Sequence, residues 1–430
     1  MEPNSMIKAR KAPLKIPSES QDSLRTYQKE AARCWNVILF IAKDYYEVEG
    51  GKWISKRDLQ KRLKGQFKLH SQTVQALTDK FVANRETIAK LRKGGDKKAR
   101  YPYREKVFLT IPFKQMAIKT TNSGTIRLTL EAGVQLDTGF VPPSSIHTAE
   151  ILWNGKGYTL SYISEYAEGK ASAGSVAGAD IGEIHPIALC SENGEGLVVS
   201  GREIRAIKQW RNKSLAKLSR RISTCKKQSR QWRKLVRAKA RLTAKTDNQM
   251  RDLFHKATRK AIDWSCEKSV AELVIGNPKG VEQNTKKQHR LNKKARQKVS
   301  QMEYGRIKRY LEYKAKEAGI KTCLVNERGT SKDCPECGSE NHPKGRNYKC
   351  NRCGFLGHRD GKAAFLMVRK KYPDVETPEK FTLEHTQCAP KYRKRRPEHR
   401  RSTPACVVGH GVILSRSAKA RPLVSALSAA

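Results

Sequence analysis

Hydrophobic positions along the chain recur with two different periods, and the switches between them divide it into blocks. From Leu24 to Leu91 the spacing is three and four: Leu24, Tyr27, Ala31, Trp35, Ile38, Leu39 and Ala42, then Val74, Leu77, Phe81, Ile88 and Leu91. That spacing predicts helices, with Ser55 as an N-cap between them and Gly94-Gly95 as the stop. Period two then takes over at residues 107–112, 125–130, 149–153 and 158–163, separated by Gly and Asn, which predicts strands. A further short strand is predicted at residues 14–17. Together these predict a small β-barrel or sandwich interrupted early by a helical block.

A short linker, GKASAGS, precedes a change of texture at Val176. VAGADIG reads as a buried strand, and a hairpin turning at Glu192-Asn193-Gly194 follows. Between Gly201 and Lys260 there are 21 basic residues against 3 acidic ones, over a thin apolar seam of Leu215, Leu218, Ile222, Leu235 and Leu242. This predicts a helical hairpin with a solvated or nucleic-acid-facing exterior. Next come a helix over 250–270, a strand over 271–276, a polar basic stretch over 283–300, a helix over 304–318 and a strand over 321–325. A cysteine cluster, a short helix over 361–370 and a tail holding KYRKRRPEHRR complete the chain. The tail offers no periodic apolar face, so disorder is expected from residue 372 onward.

Charge changes the picture most. Among 430 residues, 88 Lys and Arg face 41 Asp and Glu, a net charge of +47. Such a surface repels itself unless a polyanion neutralises it, so nucleic acid is the expected partner. No apolar run reaches the ~18 residues of a membrane span, and the basic start lacks the apolar core of a secretory signal. Eleven cysteines, four of them crowded between Cys334 and Cys353, suit a reducing cytoplasm with one metal site rather than a secreted disulfide framework.

Cys334-Pro-Glu-Cys337 and Cys350-Asn-Arg-Cys353, each followed by Gly, are two knuckles. Two residues between cysteines let both sulfurs meet one ion, and two knuckles fill the tetrahedral shell of Zn²⁺. The bland alternative is redox-active or free thiols. A closed four-thiolate site leaves no position for water, so its role is expected to be structural.

Asp180 ends an apolar strand, where α/β proteins build sites, although an Asp in that place is more often a turn residue or a cap. Asp360 opens a helix in GHRDGKAA just after the knuckles, where a carboxylate also favours the helix dipole. In order, GADIG, a basic helical insertion, TSKDCPECG, CNRCG and RDGKAA resemble the RuvC-like nuclease half of the TnpB family, RNA-guided nucleases related to miniature type V CRISPR effectors and Fanzor proteins. The resemblance is sharpest from Val176 to Val368. Upstream, Tyr27 to Asn36 resembles the family's first recognition helix.

The resemblance implies a multidomain α+β chain. Residues 1–22 and 96–170 would form a β-barrel wedge domain, and 23–95 an inserted helical recognition lobe. Residues 175–328 and 355–371 would form an RNase H-like (RuvC) nuclease domain with an inserted zinc ribbon over 329–354. A basic tail over 372–430 would remain.

Two departures stand out. Lys362 occupies a position where the family commonly has Asn, and Gly276 ends the strand that usually ends in Glu. A two-metal nuclease needs about three carboxylates around its ions. The next predicted strand, KTCLVNE, ends at Glu327, and if it runs parallel beside the one ending at Gly276, its tip lies ~4.8 Å away. A subset of TnpB-like and Fanzor-like proteins resembles this arrangement. Glu272 lies roughly 13 Å back along its strand and Glu282 in a loop. A surface ion pair with Arg328 is the alternative role for Glu327.

Asp180, Glu327 and Asp360 are therefore the expected ligands of two catalytic Mg²⁺ ions, and Cys334, Cys337, Cys350 and Cys353 of a structural Zn²⁺. The expected partners are a guide RNA and target DNA in a prokaryotic cytoplasm, nucleoid-associated when bound to DNA. Basic segments 201–260 and 286–298 and the tail are the expected phosphate-binding surfaces, with Trp210, Trp232 and Trp264 either stacking on bases or anchoring the core. The resulting expectation is a guide-RNA-directed DNA endonuclease. Its rival is a nuclease-dead RNA-guided DNA-binding protein, such as a repressor or targeting module, which Gly276 favours.

Overall fold

In the computed structural model the first strand lies earlier than the sequence pattern predicts: β1 (Ser5–Pro13) precedes α1 (Ser18–Val48). The structure describes residues 5–388 except positions 15, 97, 156, 171–172, 279–291 and 343–344. Glu282, residues 286–291 of the 286–298 stretch and the tail from residue 389 therefore lie outside the described residues.

Helix α1 packs with α2 (Lys56–Leu63) and α3 (Ser71–Lys93) around Trp35, Ile38, Leu59, Leu77 and Phe81. Trp35 and Phe81 meet edge to face at 5.8 Å. Ser55 caps α2 by accepting from the Asp58 amide, as its position predicts.

Strands β2 (Ile111–Lys114), β3 (Ile118–Thr120), β4 (Ile126–Glu131), β5 (Val134–Asp137), β6 (Ile146–Trp153) and β7 (Tyr158–Ala167) follow. They form two antiparallel sheets, ordered β1-β7-β6-β2 and β3-β4-β5, around one apolar core. The expected barrel is thus two ladders rather than one closed ring. A 3-10 turn at Gln115–Ala117 takes the chain out of the first sheet before β3 begins the second. The strand predicted over 107–112 begins only at Ile111, and Val107 and Phe108 are exposed.

The second half is built on a six-stranded sheet. Its members are β8 (Ser175–Asp180), β9 (Ile187–Ser191), β10 (Glu195–Ser200), β11 (Val270–Gly276) and β12 (Lys321–Val325), with β15 described below. Strand order is β12-β11-β8-β9-β10-β15. Strands β8, β11 and β12 are mutually parallel and β9 is antiparallel to both its neighbours. Between β10 and β11 runs the basic hairpin of α4 (Arg202–Ser223) and α5 (Arg230–Glu267). Ile204 is the one buried residue of α4; of the seam read from the sequence, Leu235 is buried and Leu215, Leu218, Ile222 and Leu242 are half-buried. Trp264 is buried in the sheet's core, whereas Trp210 is about half exposed beside Lys245.

Helices α6 (Lys293–Ser300) and α7 (Tyr304–Glu317) lead to β12. The hairpin β13 (Asn347–Lys349) and β14 (Leu356–His358) carries the second cysteine knuckle. Helix α8 (Arg359–Lys371) then crosses the sheet with most of its residues buried. Gly178 makes this crossing possible, because a Cβ there would collide with the carbonyl of Ala364 on α8.

The tail boundary needs correction. Residues after Lys371 continue into β15 (Thr382–Gln387), which pairs in parallel with β10 as the sixth strand. Phe381 packs edge to face on Phe365 at 5.4 Å, and Cys388 is buried in the main core. Lys260 on α5 also donates to Thr386 Oγ1 at 2.8 Å and to the Gln387 carbonyl at 2.7 Å. A six-residue strand with modest alternation gives little signal by itself; the open edge of β10 supplies the partner that orders it.

Candidate active site

Three carboxylates lie around the ends of the parallel strands, and the charges of Asp360 and Glu327 both act on Asp180, although among the described residues the three do not gather into one cluster of ligand atoms. Asp180 is the last residue of β8, Asp360 is the second residue of α8, and Glu327 lies two residues beyond β12. Strand β12 runs parallel beside β11 as expected, but it ends at Val325, opposite Gly276, so Glu327 lies two residues past the strand's tip. The consequence is specific: a Cβ placed on Gly276 would come within 3.2 Å of Glu327 Oε2 and 2.6 Å of the Met367 methyl. Glu327 therefore reaches across to the tip of β11 and, together with the thioether of Met367, occupies the space that a side chain at 276 would enter. Its Oε2 is buried without a hydrogen-bond partner.

Electrostatics sets the three apart. Withdrawal from water, then the charges of Asp360 and Glu327, push the Asp180 carboxyl up to about 8. Burial pushes Glu327 up to about 7, against the pull of Lys370. Burial also works against Asp360, but the hydrogen bond with His185 and the charge of Arg346 hold it below the ordinary value. His185 Nδ1 is 2.6 Å from Asp360 Oδ2, and Arg346 Nη1 donates to Oδ1 at 2.7 Å and to Oδ2 at 3.0 Å.

Carboxyls raised in the folded state bind protons that the unfolded chain, with values near 4, has already released. Their contribution is present at low pH and is lost as pH rises through about 7 and about 8. The melting temperature of the metal-free protein should therefore fall between pH 6 and pH 8.5. Mg²⁺ should recover most of that loss by binding the ionised carboxylates, and Asp180→Asn should flatten the slope. A pH-independent melting temperature would contradict the burial of these acids.

Glu272 is occupied elsewhere. It pairs with Lys371 and accepts from Tyr372 Oη at 2.6 Å. Lys362 does not face the carboxylates as a ligand. It is fully buried, donates to the carbonyls of Thr330, at 3.1 Å, and Asp333, and lies over the Tyr348 ring. The long lysine thus ties α8 to the cysteine module. Arg369, further along α8, reaches the carbonyl of Pro335 in the first knuckle. His185 and Arg346 escape sequence reasoning because neither lies beside a carboxylate in the chain; only the fold brings them to Asp360.

The four cysteines fit zinc. Their sulfurs all lie within 4.8 Å of one another, with Cys334 and Cys353 3.5 Å apart and Cys337 and Cys350 3.6 Å apart. Tetrahedral Zn–S bonds of ~2.3 Å place sulfurs about 3.8 Å apart, so the cluster is close to the required geometry. Cys334→Ser should lower zinc content and loosen the start of α8, because Lys362 and Arg369 both hold on to the ribbon. Metal analysis and thermal melting check this. Full zinc occupancy with unchanged melting would refute the assignment.

Residues 159–282 match the family model OrfB_IS605, described as a probable transposase, and residues 304–367 match the Cas12f1-like TNB domain. Over 149 residues, 34% of the chain, it is 30% identical to the TnpB-like protein MJ0751 of Methanocaldococcus jannaschii. The chain resembles the TnpB family. It spans about half the length of that curated relative, 51%. The fold of this TnpB-like chain is similar to that of Cas12f1, solved in a complex with sgRNA and target DNA. The TM-score is 0.60 at 15% identity, covering 83% of this chain and 84% of the other. Among the described residues, no helix is long and apolar enough to cross a membrane.

Proposed function

We propose that this TnpB-like chain is a guide-RNA-directed DNA endonuclease whose Asp180, Glu327 and Asp360 hold two Mg²⁺ ions. The observation that carries the reading is Glu327 Oε2, buried, unpartnered and lying over Gly276 beside the tip of β8. An orphaned buried carboxylate oxygen is costly unless a cation meets it. The nuclease-dead alternative draws its support from Gly276, and a carboxylate of Glu327 lying close to that position speaks for the endonuclease reading.

The sheet order, with three parallel strands and an antiparallel hairpin beyond them, suits the RNase H-like arrangement expected of a RuvC domain. The bound ions would supply activation of water and stabilisation of charge on the leaving oxygen. Asp360, held below its ordinary value, contributes an ionised carboxylate, whereas Asp180 and Glu327 would give up their protons when the ions bind, Lys370 helping Glu327 to do so. Asp360 is held in place by His185 and Arg346. The α4–α5 hairpin offers the cations that bind phosphate, so affinity for nucleic acid should fall steeply with salt. The cysteine ribbon would carry structural zinc.

The test is cleavage of a guide-matched DNA duplex by the chain loaded with RNA from cells. Cutting with Mg²⁺, its loss with EDTA and its loss in Asp180→Asn are expected. Stable, guide-dependent DNA binding without cutting under any of these conditions would establish the nuclease-dead reading instead.

A further inference from the structure

The imidazoles beside Asp360 are not needed for a three-carboxylate site, yet they form a donor set with it. His185 follows β8 in the loop to β9, and His358 is the N-cap of α8, two residues before Asp360. One ligand atom from each of the three lies within 4.8 Å of the other two. His185 Nδ1 touches Asp360 Oδ2 at 2.6 Å, and the His185 and His358 rings are 5.4 Å apart. His358 Nδ1 receives a 3.3 Å hydrogen bond from the Gly361 amide, a long contact that a stronger acid can replace. A third imidazole, His385 on β15, stands 5.4 Å from His358 but contributes no atom to the cluster.

Asp360 is otherwise engaged by cations. Arg346 Nη1 lies 2.7 and 3.0 Å from its two oxygens, and Arg359 Nε lies 3.8 Å from Oδ1. A positive charge already sits at this carboxylate, and a metal ion would compete for the same oxygens.

We propose that the ion held through Asp360 also takes one nitrogen each from His185 and His358, making a mixed nitrogen–oxygen site that selects Mn²⁺ over Mg²⁺. The proposal rests on the reading of Asp360 as a metal ligand. Its chemical basis is ligand type. Mg²⁺ takes hard oxygen donors and keeps its waters, whereas imidazole is a borderline donor that binds first-row transition ions better.

The test uses the full chain with its ribbon saturated by zinc, titrated with Mn²⁺ and studied by electron spin-echo envelope modulation. Coupling to two ¹⁴N nuclei is expected in the parent protein. His185→Ala and His358→Ala should each weaken the coupling and the double variant should abolish it, while His385→Ala should leave it intact. Competition binding should show a preference for Mn²⁺ over Mg²⁺ of about tenfold or more, shrinking towards parity in the double variant. Zinc content and melting temperature verify folding, and if the double variant fails to fold, the parent spectrum alone decides. A parent spectrum without ¹⁴N coupling, or coupling that survives loss of both rings, overturns the proposal. Because binding is read rather than cutting, the two readings fail separately. Nitrogen coupling in a chain that never cuts DNA keeps this site and removes the nuclease assignment. Mg²⁺-dependent cutting without nitrogen coupling does the reverse.

Discussion

Glu327→Gln should bind RNA and matched DNA as the parent chain does, yet cut on the order of a thousandfold more slowly or worse. The amide keeps the size and reach of the side chain over Gly276 and removes only the charge. Loss of one charged ligand out of three costs several kcal/mol of transition-state stabilisation, about 1.4 kcal/mol for each factor of ten. Asp180→Asn and Asp360→Asn should behave alike. Mn²⁺, which tolerates a wider range of ligands, should restore a small part of the rate. Glu272→Gln should cut normally, because that carboxylate is engaged by Lys371 and Tyr372. Loss of that ion pair should show in stability instead. Single-turnover cleavage with DNA binding measured in parallel separates these effects. Near-normal cutting by Glu327→Gln together with loss of cutting in Glu272→Gln would place the third ligand on β11 and leave Glu327 an ordinary charge.

Truncation should divide the tail into two parts with opposite results. Removal of everything after Cys388 should leave folding and cutting intact while reducing non-specific affinity for DNA, with a smaller dependence on salt. Removal of everything after Asp374 should destabilise the half built on the six-stranded sheet by roughly 3 kcal/mol or more, since it strips apolar partners from the sheet. It deletes β15 and exposes the edge of β10, and with it go Phe381 against Phe365 and Cys388 in the core. It also removes Leu383, which packs close enough to Gly361 that a Cβ there would meet it at 2.5 Å. Gly361 is the neighbour of Asp360, so the loss should be felt at the site. Thermal melting of the two truncations decides the matter. Equal melting temperatures would mean that β15 adds nothing to the fold.

Much of this architecture is legible in the chain by itself, and the reason is local. The helical block, the basic hairpin, the cysteine knuckles and the strands ending at Asp180 and Gly276 each declare themselves by period, by charge or by spacing. These signals act over a few residues, and local backbone chemistry is enough to read them. The strand before Glu327 shows in the sequence pattern, while its parallel place beside β11 is implied by the resemblance to an RNase H-like sheet, and β12 does lie there.

Only the tertiary structure decided the rest, because it depends on contacts between distant segments. β15 orders on the edge of a strand almost 200 residues earlier, so its own sequence carries little of the signal. Lys362 points into the cysteine module because two carbonyls and a tyrosine ring wait there, contributed by chain on the other side of α8. His185 and Arg346 meet Asp360 across 175 and 14 residues respectively, and no motif marks either of them. Gly276 and Glu327 make the same point in miniature. Along the chain they are a missing acid and an acid out of place. Parallel pairing of their strands puts one carboxylate into the space that the other residue leaves open.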